Sequence, residues 1–87
     1  MTLDEAKAIL NECVHNQLVD RAFGDSEHHW TKNDEEVGYA YYGSSGSELI
    51  ISIGTVQHKF TGDNAYSLMN CGKAGEYARN DGGSHYE

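Results

Sequence analysis

The spacing of apolar side chains changes once along this chain, from a helical rhythm near the N terminus to an every-other-residue rhythm through the middle. Leu3, Ala6, Ile9, Leu10, Cys13 and Val14 recur at intervals of three and four, while Asp4, Lys7, Asn11 and Glu12 fall on the other side. That is the stripe of an amphipathic helix. Thr2 and Glu5 stand at the spacing of a capping box, in which hydroxyl and carboxylate each accept from the other residue's amide. The pattern predicts a helix from Leu3 through about position 16. Residues 17–24 carry Leu18, Val19, Ala22 and Phe23, which suit a further helical turn or a strand; we draw the helix to near Val19, with Gly24-Asp25 as a break.

Beyond that break the period becomes two. Trp30 marks a first strand and Val37, Tyr39 and Tyr41 a second, with Lys32-Asn33-Asp34 as the turn of a hairpin. Gly43-Ser44-Ser45-Gly46-Ser47 reads as a flexible connector. Leu49, Ile51 and Ile53 form a β-branched run with the signature of a central strand, and Gly54-Thr55 joins it to Val56, His58 and Phe60 through a tight turn. Thr61 or Asp63 is placed to cap a short second helix with Ala65, Leu68 and Met69 facing inward, closed by Gly72. Residues 74–79 fit either a short edge strand or irregular structure.

These elements predict an α+β domain: an N-terminal helix, an antiparallel meander of about four strands, and a short C-terminal helix, both helices covering one face of the sheet. A single domain over 1–80 and a flexible tail over 81–87 follow from the glycine-rich, apolar-poor end. The expected core is Leu3, Ala6, Leu10, Cys13, Trp30, Tyr39, Leu49, Ile51, Ile53, Val56, Phe60 and Leu68. The opposite sheet face is then expected to carry Ala40, Tyr42, Ile50, Gln57 and Lys59, and to offer a partner or dimer contact.

Charge narrows the function. Fourteen Asp and Glu against six Lys and Arg give a net charge of −8, so a nucleic acid meets repulsion where counterion release normally drives binding. Direct nucleic-acid binding is therefore not expected, whereas a basic protein partner is. No apolar run is long enough for a leader or a membrane span, and the two cysteines, Cys13 and Cys71, read as reduced thiols of a cytoplasmic protein.

The residues that could carry chemistry lack the spacings chemistry needs. Cys13, His15, His28, His29, His58, Cys71 and His85 include no pair spaced to chelate a metal from one local turn, and adjacent His28 and His29 on a strand point apart. A Cys-His nucleophile requires a meeting in space that nothing local predicts. Asp34-Glu35-Glu36 reads as a charged hairpin loop, the glycines form no phosphate cradle, and Tyr39, Tyr41 and Tyr42 lack the basic groove of a base-stacking platform. No cofactor, metal or catalytic residue is expected.

The segment 30–72, with Gly38-Tyr39, Ser47-Glu48-Leu49-Ile50, Gly54-Thr55-Val56-Gln57 and Ala65-Tyr66-Ser67 in order, resembles small acidic phage anti-CRISPR proteins. The resemblance covers about half the chain and implies an α+β domain, of prophage type, whose carboxylates imitate DNA phosphates on a basic effector. The second helix departs from that pattern, because 64–71 carries no dense acidic run.

The expected function is a non-enzymatic acidic domain that binds another protein, with Asp34, Glu35, Glu36, Tyr42, Glu48 and Ile50 as the partner-binding residues. The alternatives are a homodimeric structural or accessory protein built on Tyr42 and Ile50, and a small metal- or thiol-dependent enzyme using Cys71 with histidines from separate elements.

Overall fold

The computed structural model describes residues 1–20 and 24–80; the tail assigned to 81–87 lies outside them. Helix α1 (Leu3–Asn11) begins with the capping box intact, Glu5 N–H donating to Thr2 Oγ1 at 3.1 Å and Thr2 N–H to Glu5 Oε1 at 2.7 Å. It ends well before Val19, a correction to the sequence reading. After Glu12, the run Cys13-Val14-His15-Asn16 consists of weak helix formers, and a β-branched residue gains more from a pleated neighbour than from a helical turn. The chain therefore enters strand β1 (Val14–Asp20) at once.

Five strands then follow as a meander: β1, β2 (Asp25–Lys32), β3 (Glu35–Gly43), β4 (Gly46–Ile53) and β5 (Val56–Thr61). Asn33 and Asp34 both take positive φ between β2 and β3, as a two-residue hairpin turn requires. The stretch read as a flexible connector is instead a second tight hairpin, with Gly43 opposite Gly46 across the turn. After β5, helix α2 (Gly62–Leu68) leads to β6 (Lys73–Asn80), which pairs parallel to β1 and completes the sheet order β5-β4-β3-β2-β1-β6. The molecule is thus an α+β domain with a six-stranded mixed sheet, two strands more than the predicted meander.

The crossover from β5 to β6 runs the full width of the sheet. Five strand spacings amount to about 24 Å. After α2 (Gly62–Leu68) the chain turns, with Met69 in the right-handed helical region and Cys71 N–H donating to the Leu68 carbonyl at 3.1 Å. Three hydrogen bonds fix the landing of the crossover: Trp30 Nε1–H to the Cys71 carbonyl at 2.8 Å, Gly72 N–H to Asn11 Oδ1 at 3.0 Å, and Lys73 N–H to the Cys13 carbonyl at 2.8 Å.

Both helices lie on the face that carries Trp30, Ala40, Leu49 and Ile51, and Ala6, Leu10, Cys13, Ala65, Leu68 and Met69 close the core over them. Leu3 and Phe60 pack at its edge. Tyr39 is on the other face, contrary to its predicted core position. Next to Trp30 the inward residues of β3 are Gly38 and Ala40, because space there is short: a Cβ at Gly38 would stand 3.0 Å from Leu10 Cδ2 and 3.2 Å from Trp30 Cε3. Ile53 and Val56, also expected in the core, flank the turn at the β4–β5 tip and are 47% and 54% exposed. Among the described residues no helix is long and apolar enough to cross a membrane.

Gly72 is the tightest point of the crossover. It has φ +103° and a Cβ there would lie 3.0 Å from His15 Cβ and 3.1 Å from the Trp30 indole, whereas Gly54, at φ +60°, faces open space. Gly72→Ala should therefore incur both backbone strain and overpacking, about 2–4 kcal/mol, and Gly54→Ala only the strain, about 1–2 kcal/mol. Urea unfolding of the two variants checks this; equal losses would contradict it.

Candidate functional site

The sheet face away from the helices is uncovered, and its side chains follow from the strand registers. One row crosses all six strands as Ala78, Leu18, Glu27, Tyr41, Glu48 and Thr61. The neighbouring row runs Asn16, His29, Tyr39, Ile50 and Lys59. With Asp20, Asp25, Glu36 and Glu76 at its margins, the face gathers carboxylates from β1, β2, β3, β4 and β6. Lys59 on β5 and Lys73 at the start of β6 stand against them.

Two of the carboxylates are held by tyrosine hydroxyls and two by basic side chains. Tyr41 Oη–H donates to Asp25 Oδ2 at 2.8 Å and Tyr39 Oη–H to Glu27 at 3.4 Å, both diagonally across the β2–β3 pair. The bond to Asp25 is the main reason that the Tyr41 phenol ionises above its ordinary range; for Tyr39 desolvation comes first and the Glu27 charge second. Both rings therefore remain donors. His29, edge-on to Tyr39 with centroids 5.0 Å apart, makes a short contact with Glu36 through Nδ1. Lys59 Nζ lies 3.0 Å from Glu48 in an exposed pair, which contributes little in water.

Two concavities indent this face and meet at Leu18, which is 43% exposed. The larger, about 380 Å³, lies across β6, β1, β2 and β3, with Leu18, Ala78, Asn16 and Thr31 among its lining and Glu36 and Glu76 at its rim. The smaller, about 200 Å³, is bordered by Asp20, Asp25, Glu27 and Tyr41.

Of the six residues expected at the site, Glu36, Glu48 and Ile50 share this face. Asp34 and Glu35 occupy the exposed β2–β3 turn and the first position of β3. Tyr42 is on the helix side, its ring 5.5 Å from that of Tyr66 on α2; it and Ile50 do not form one patch. Ala40, also expected on the open face, is in the core. Asp25, Glu27, His29, Tyr39 and Tyr41 were not anticipated. Their signal was present as the alternation Asp25, Glu27, His29, Thr31, which is the outer face of β2 once Trp30 points inward.

On the helix side, His15 and His28 are buried beside Trp30. Their Nε2 and Nδ1 atoms are 2.8 Å apart with the rings 18° from coplanar and centroids 5.0 Å apart, the geometry of imidazoles joined edge to edge by one hydrogen bond. His15 lies flat on the Trp30 indole, 4.6 Å between centroids, and Ser26 Oγ is 2.9 Å from His28 Nε2. The order hydroxyl, imidazole, imidazole resembles a nucleophile relay, but burial lowers the His28 pKa to about 4, which makes it a feeble base. Asp20 and Asp25 border the cavity that Ser26 lines, and they oppose an oxyanion there. The relay satisfies two buried rings beside the core tryptophan. Among the described residues no group of three or more His, Cys, Asp or Glu side chains is placed to hold a metal ion.

Burial also lowers the His15 pKa, so the native state binds protons at both rings less readily than the unfolded chain, whose imidazoles titrate near 6.5. The stabilisation is complete above pH 6.5 and is lost as pH falls toward 4. The stability advantage of the native sequence over His28→Gln should shrink across that window in urea titrations; an advantage that stays constant would contradict the assignment.

No protein-family model, no curated protein and no solved structure matches this chain.

Proposed function

We propose that this chain is a non-enzymatic protein-binding module whose open sheet face engages a basic partner surface. The observation that carries the reading is the set of carboxylates on the uncovered face, of which Asp25 and Glu27 accept from tyrosine hydroxyls that orient them without neutralising them. Orientation matters because a partner then meets charges already in place and less side-chain freedom is lost on binding. The excess of charge in turn accelerates encounter with a cationic surface.

Asp25 and Glu27 on β2 are about 6.7 Å apart, and Asp20 on β1 stands opposite Asp25 in register at about 4.8 Å. A surface that has evolved to bind a phosphate backbone offers lysine and arginine to such an array. This is the imitation of nucleic acid that the resemblance to anti-CRISPR proteins implies, carried here by the sheet and not by α2. The partner in this reading is a basic nucleic-acid-binding protein, and the chain needs neither cofactor nor metal.

Surface reversal and salt test the proposal together. With a basic nucleic-acid-binding protein as the partner, affinity should fall by at least about tenfold between 50 and 300 mM salt. The double variant Asp25→Asn, Glu27→Gln should weaken binding at low salt by a similar factor while its thermal unfolding stays cooperative. Affinity indifferent to both changes would remove the electrostatic basis of the reading.

A further inference from the structure

Resting on that reading, we infer that the part of the open face that receives the partner is the trough across β6, β1, β2 and β3, and that it takes an extended segment with arginine at alternate positions. The open face is not uniform. On the β4–β5 side Lys59 pairs with Glu48 at 3.0 Å. On the β1 side the two concavities of about 380 and 200 Å³ join at Leu18.

The chemistry of the trough is apolar along its floor and anionic at its rims. Leu18 and Ala78 are neighbours in register, and Glu36 and Glu76 border one end while Asp25 and Glu27 border the other. A cationic side chain with a long methylene stem matches this order, stem on the leucine and head at the carboxylates. Arginine fits better than lysine, since its planar fork can span oxygens and lie against the Tyr41 ring.

An extended segment follows from the direction of the trough. Its length runs along β1, from Asn16 past Leu18 to Asp20, a distance of about 13 Å. In an extended chain alternate residues point the same way, so arginines two apart reach successive carboxylates, about 6.7 Å from one another. A helix would present such side chains on three- and four-residue spacing, which does not match carboxylates two apart on one strand.

The experiment uses the full chain labelled with nitrogen-15 and a decapeptide of alternating arginine and alanine. In low salt, saturable shift changes should centre on Asn16, Leu18, Glu27, His29, Thr31, Glu76 and Ala78. Leu18→Lys, at an exposed position, should weaken binding about tenfold, and Glu48→Lys, on the β4–β5 side, less than about threefold. Shifts centred on Glu48, Ile50 and Lys59, with Glu48→Lys the more damaging variant, would overturn the trough while leaving the acidic face as the binding surface. Absence of saturable binding at low salt would overturn both.

Discussion

The side of the sheet to which β2 turns Trp30 decides the rest of the structure. This one fully buried indole lies under α1, stacks on His15, crowds Gly38 and Gly72, and donates to the Cys71 carbonyl. Through that last bond it holds the end of the crossover, and so the place where β6 can join β1. With Trp30 inward, His28 must also be inward, since a strand alternates its side chains. An imidazole in that position is tolerable only as a neutral ring with hydrogen-bond partners, which His15 and Ser26 supply.

The same alternation sends Asp25, Glu27, His29 and Thr31 outward, and registers propagate the choice to every other strand. Polar satisfaction within the core and negative charge on the open face are therefore two outcomes of a single phase of β2. A shift of one residue would bury three ionisable groups and expose the tryptophan. The acidic face is consequently as firmly specified as the core, although it gains nothing from burial. Its tyrosines show how: their rings cover strand backbone while their hydroxyls reach the carboxylates that the phase has placed outward.

Much of this was legible in the chain. The capping box, the stripe from Leu3 to Cys13, the Asn33-Asp34 and Gly54-Thr55 turns, the buried Leu49 and Ile51, and the short helix with Ala65, Leu68 and Met69 follow from local spacing. Among the features that did not, three matter most. The end of α1 was masked because Val14, Leu18 and Val19 continue a helical spacing by chance, and only the pairing of β1 with β2 and β6 favours a strand there. The phase of β3 was misread because tyrosine rings carry far more apolar surface than Gly38 and Ala40, whereas the space under Trp30 admits only small residues. The parallel docking of β6 depends on Asn11, Cys13 and Trp30, which are far from it in sequence. The site suffered most from the second error, which placed Tyr42 on the open face and Tyr39 in the core, and left Tyr41 out of the site.

The central claim is that the sheet has one covered and one open face, with Trp30 on the first and Tyr39 and Tyr41 on the second. Nuclear Overhauser contacts from the aromatic rings test it most directly. The account requires contacts from the Trp30 indole to Leu10, His15 and Gly72, and contacts from Tyr39 and Tyr41 to Glu27, His29 and Asp25 with none to α1 or α2. Contacts from either tyrosine ring to Leu10 or Leu68 would contradict it.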